Sequence, residues 1–96
     1  MLNLDVPDIV NREELIEEWA SSAKIAAGTL DLNKTDFIRL LEMSLSGSVK
    51  GAWEMTPAET KTMAFNTESL NEIIDNVSTL FKIQFVGVDY FNGQDT

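Results

Sequence analysis

The sequence predicts an all-α fold, a compact bundle of about five helices. Three observations carry that expectation. Apolar residues recur at helical spacing through most of the chain, helix start and stop signals bracket those runs, and the connections are short with no strand that must pair. At 96 residues the chain is one domain with room for a modest core. The expected organisation is an N-terminal extension over 1–10, a helical domain over 11–87 and a C-terminal tail or linker over 88–96.

The first helix is expected to start at Asn11, because Asn11-Arg12-Glu13-Glu14 has the pattern of a capping box. Glu13, Glu14, Glu17 and Glu18 then crowd its first two turns, where the helix dipole offsets part of their repulsion. Ile16, Trp19, Ala20, Ala23 and Ala27 form one apolar stripe, and Gly28 is a natural stop. A second helix follows the cap Asn33-Lys34-Thr35-Asp36. Phe37, Ile38, Leu40, Leu41, Met43 and Leu45 cover most of its circumference, so it is expected to be the central, most buried helix, ending at Gly47.

Ser48 to Met55 makes a short third helix with Val49, Ala52 and Trp53 on one side. Thr56-Pro57-Ala58-Glu59 combines a cap, a proline at the first helical position and an acid at the third, opening a fourth helix anchored by Met63 and Phe65. The last helix is expected near Asn66 or Thr67, with Leu70, Ile73, Ile74, Val77, Leu80, Phe81 and Phe85 as its stripe until Gly87. The run Ile83 to Val88 fits an extended segment as well. Beyond it, Asn92-Gly93 is a turn signal within a loop or linker.

Composition narrows the function. Sixteen acids against seven bases, with no histidine, give a net charge of −9 and a pI near 4.2. That balance disfavours direct nucleic-acid binding, and the bases fall singly rather than in a run. Without histidine or cysteine the chain lacks the commonest general base, the commonest transition-metal ligand and any thiol chemistry. No enzyme activity, cofactor or metal is expected. Nothing reads as a signal peptide or a membrane span.

Carboxylate pairs are the remaining chemical vocabulary. Glu13/Glu17 and Glu14/Glu18 lie one turn apart, a spacing suited to a hard cation, but a solvated acidic face is much the stronger reading. Asp89 to Asp95 lacks the ligand pattern of a calcium loop. Gly47-Ser48-Val49-Lys50-Gly51 is a weak phosphate-loop candidate and reads better as an interhelical turn. Trp19, Trp53, Phe37 and Phe65 are expected in the core rather than around a ligand. Tyr90 and Phe91, adjacent aromatics outside the last periodic helix, are candidates for contact with another chain or for folding back onto the bundle.

The stretch from Asp36 to Trp53, Asp-Phe-Ile-Arg-Leu-Leu-Glu-Met-Ser-Leu-Ser-Gly-Ser-Val-Lys-Gly-Ala-Trp, resembles the helix–turn–helix segment of Gag-type capsid proteins from long-terminal-repeat retroelements and plant pararetroviruses. The positions that carry the likeness are Phe37, Leu40, Leu41, Leu45, Gly47 and Trp53, with Trp19 on the opening helix. Leu80-Phe81 through Phe85 to Gly87-Val88-Asp89-Tyr90 is similar to the end of the corresponding helical domain in the pararetrovirus coat proteins.

The resemblance implies a retroviral-capsid-like N-terminal domain that self-associates with other capsid subunits to build the shell around a genome. It implies a place in the virion, with assembly in the host cytoplasm or nucleus. The family's zinc knuckle and basic tail are not in this segment, so nucleic-acid contact is not expected of it, and the isolated domain is expected to be a monomer or dimer. The alternative is a small acidic helical adaptor or inhibitor that binds a basic protein through the Glu13 to Glu18 face.

Overall fold

The structure, a computed structural model, describes residues 1–87. Five helices follow one another: α1 (Ile9–Leu30), α2 (Lys34–Met43), α3 (Gly47–Met55), α4 (Ala58–Ala64) and α5 (Leu70–Phe85). No strand forms among the described residues. A single isolated parallel bridge links Leu2 to Leu45.

The frame is the pairing of the first helix with the last. Lys24 bonds Asp75 at 2.7 Å, Glu17 meets Lys82 at 3.2 Å, and Arg12 Nη1 donates to the Phe85 carbonyl at 3.1 Å. The α5 partner advances as the α1 residue recedes, so the two helices run antiparallel. Between them lie Ile16 and Ala20 from α1 and Ile73, Ile74, Val77 and Phe81 from α5, all buried. The α5 stripe is the one its spacing predicts, and burial of apolar area along it is the main stabilising contribution. α5 is therefore the central helix, not α2. Phe37 and Leu41, one turn apart, are the fully buried residues of α2; Ile38 packs half-buried against the core, while Leu40 and Met43 are exposed.

Several helix ends differ from the sequence expectation. α1 begins at Ile9, because Asp8 Oδ1 accepts from the Val10 amide at 3.0 Å and caps the helix two turns before its buried residues Ile16 and Ala20. Gly28 does not stop it. The helix runs to Leu30, and Asp31, at φ 50°, takes the left-handed step that ends it. α2 is capped by Asn33 as expected, its Oδ1 accepting from the Asp36 amide, but it ends at Met43, four residues before Gly47.

Thr56 does not cap α4. Its hydroxyl turns back to donate to the Ala52 carbonyl at 2.9 Å, leaving Pro57 at the cap position without a side-chain bond. The expected anchor Met63 is 76% exposed, and Ala64 with half-buried Phe65 anchors α4 instead. α5 starts at Leu70 rather than near Asn66, since Ser69 Oγ accepts from the Glu72 amide at 3.3 Å. It stays helical through Phe85, and Gly87, at φ +84°, follows its end.

The first residues are not loose. Leu2 and Leu4 are 3% and 2% exposed and belong to the core. The Leu2 amide donates to Ser44 O at 2.6 Å, and the Ser46 amide returns a bond to Leu2 O at 2.9 Å. Asp5 then caps α3 from a distance, its Oδ2 accepting from the Ser48 amide at 3.2 Å. Gly47, at φ +63°, permits this approach, because a Cβ there would collide with the Asp5 carboxylate. The phosphate-loop candidate at 47–51 is thus an ordinary helix start whose anion is internal.

Candidate association surface

Glu13 to Glu18 lie in the second and third turns of α1, since the helix begins at Ile9 and its first turn holds no acid. The dipole therefore offsets little of their repulsion. Glu13 is half-buried; Glu14, Glu17 and Glu18 are exposed and line an open acidic cleft with Ser21 and Ser22. Lys82 engages Glu17, while Glu14 and Glu18 have no ion-pair partner among the described residues. No group of three or more acids is placed to hold a metal ion among these residues.

Beside this cleft, between α1 and α2, runs an apolar groove of about 260 Å³. Trp19 and Ala23 form its α1 wall and Phe37, Leu40 and Leu41 its α2 wall; Met1 and Leu30 lie along its edge, both exposed. Trp19 donates from Nε1 to Ser44 Oγ at 2.8 Å, tying the ring to the C-terminal end of α2. Ser22 belongs to the lining of both the acidic cleft and the groove.

On the far side, Met1 lines both the groove and a second cleft of about 470 Å³. Arg39 from α2, Lys50 from α3 and Lys61 from α4 converge there. Along the chain the bases fall singly. Three helices bring these three together, while Lys24, Lys34 and Lys82 are bound to carboxylates and Arg12 to two backbone carbonyls. Lys61 Nζ stands 5.0 Å from the Trp53 ring centroid. Of the two acids in this cleft, Glu42 accepts from Trp53 Nε1 at 2.9 Å and Glu54 is exposed.

The core motif residues Phe37, Leu41, Leu45 and Trp53 are buried, and Gly47 sits at the α2–α3 junction. Phe81 joins the two tryptophans, at ring separations of 5.6 Å from Trp19 and 5.8 Å from Trp53. Tyr90 and Phe91 lie outside the described residues, as does the Asp89 to Asp95 segment. No family model matches the chain, and no curated protein or solved structure matches it either. No helix among the described residues is long and apolar enough to cross a membrane.

Proposed function

We propose that this chain is a structural domain that works by self-association, and that the assembly it serves is a shell of the Gag capsid type. The observation that carries the reading is the exposed apolar groove between α1 and α2. Apolar surface left open between two helices is the kind of feature that marks a protein–protein contact. The likeness of Phe37 to Trp53 to capsid segments supports the choice of assembly, and small contacts suffice in a lattice because many act together.

Sedimentation equilibrium of the chain from micromolar to millimolar concentration tests the association. The mean mass is expected to rise with concentration, and a constant single-chain mass at millimolar overturns the reading. Electron microscopy of the product of the whole coding region tests the shell: curved or closed lattices are expected, and discrete small oligomers alone overturn that part. A second reading, an acidic adaptor or inhibitor for a basic partner, draws on Glu14, Glu17 and Glu18 in their open cleft. It expects a monomer that captures a lysine-rich peptide, with binding weakened by salt.

A further inference from the structure

Residues 2–5 sit in a slot built by the α2–α3 junction, and the way they are seated shows what the slot takes. The Leu2 amide donates to Ser44 O and Leu2 O accepts from the Ser46 amide, in a parallel register, with a further bond from Ser46 Oγ at 3.2 Å. Leu2 and Leu4 are buried in the core, two residues apart as an extended chain requires. The Asp5 carboxylate accepts from the Ser48 amide and lies where a Cβ on Gly47 would stand. The slot thus fits an extended Leu-x-Leu-Asp segment. Backbone pairing holds it, two apolar sites choose its leucines, and a helix start takes its carboxylate.

Only Val6, Pro7 and Asp8 join this segment to α1. Leu2 bonds Ser44, as does Trp19 Nε1, while Val6 O accepts from Arg12 Nε at 2.7 Å. Later residues of the segment therefore meet earlier residues of α1. The two run antiparallel, and the chain reverses within the three link residues. Pro7 fixes its own φ and holds Val6 to extended backbone, and Asp8 is itself extended at φ −87° and ψ 117°. A link of that make-up can run straight, carrying residues 2–5 away from their own slot.

We propose that two copies of this chain exchange residues 2–5, each seating them in the α2–α3 slot of the other. The exchanged pair keeps the contacts of the slot, because occupant and slot are the same residues, so the link and the entropy of association decide between the two states. An emptied slot exposes the sites of Leu2 and Leu4 and strands the Ser44 carbonyl with the Ser46 and Ser48 amides, which favours refilling. A second copy is the occupant that supplies the whole set, two leucines and a carboxylate at the right spacing. For a short link, seating within one chain competes at an effective concentration of about millimolar, a level that the close-set chains of an assembly match. The inference rests on the self-association reading and names what each copy gives the other.

The chain has no cysteine, so introduced cysteines report the exchange directly. The bridge between Leu2 and Leu45 sets residue 3 beside residue 46. Asn3→Cys and Ser46→Cys in one chain, oxidised when dilute, are expected to close a disulfide within that chain and lock the segment in its own slot. In sedimentation velocity the locked chain is expected to stay single at millimolar concentration, and reduction is expected to restore the parent's association. Asn3→Cys and Ser46→Cys in separate chains, mixed at millimolar concentration and then oxidised, are expected to join residue 3 to residue 46 in preference to either like pair, as peptide mass mapping reads. A locked chain that associates like the parent, or random linkage among the separate chains, overturns the exchange while leaving self-association standing. A dilute double variant that closes no disulfide overturns the register on which the exchange depends. A parent that stays a single chain at millimolar concentration overturns both exchange and self-association.

Discussion

Trp53 meets Phe65 and Phe81 edge-on at 5.9 and 5.8 Å while its indole N–H donates to Glu42. It is 4% exposed, so truncation leaves a cavity as well as losing aromatic contacts. Trp53→Ala is expected to cost about 3–5 kcal/mol, a large share of the stability of so small a domain; an unchanged melting temperature would remove Trp53 from the core. Asp5 is a second residue whose role is testable. Hydrogen bonds from the Ser48 hydroxyl and then the Ser48 amide hold its carboxyl below the ordinary value of 3.8, against a smaller desolvation and with a minor pull from Arg12. The ionised form is thus favoured by folding. Its contribution is full above 3.8 and is lost as pH falls through the lower native value. Asp5→Asn should be less stable than the parent near neutral pH, and melts in increasingly acid buffer should show the gap closing.

At the scale of elements, the helix stripes were legible because burial along a helix leaves a periodic trace: Ile73, Ile74, Val77 and Phe81 are one example, Phe37 and Leu41 another. Caps were less so. Asn11 carries cap chemistry, yet Asp8 caps α1; Thr56 carries it too, yet α4 opens at Pro57 with no side-chain cap, and Ser69 rather than Asn66 or Thr67 caps α5, because the choice depends on where each segment must start to reach its packing partner. The opening segment was hardest to read. Leu2 and Leu4 show only a two-residue alternation, and the backbone partners of Leu2 lie some forty residues on, at the α2–α3 junction. A frayed extension predicts almost no effect of Leu4→Ala; the buried position predicts a loss of about 2–5 kcal/mol in a denaturant titration.

For the whole molecule, composition spoke of acidity and the fold redistributes it. Arg39, Lys50 and Lys61 belong to three successive helices, and no local pattern announces that they share a cleft. The Glu13 to Glu18 run was visible because four acids are close in sequence, whereas a site assembled from single residues on separate helices needs tertiary structure to appear.

The antiparallel pairing of α1 with α5 also sets an order of events during synthesis. Phe81, the ring that both tryptophans touch, leaves the ribosome after every helix residue that packs around it except those of its own last turn. The earlier helices emerge with their apolar faces uncovered, and cooperative closure waits for α5. A product cut short before Phe81 would thus present those faces to chaperones and proteases, whereas one carried through α5 would hide them.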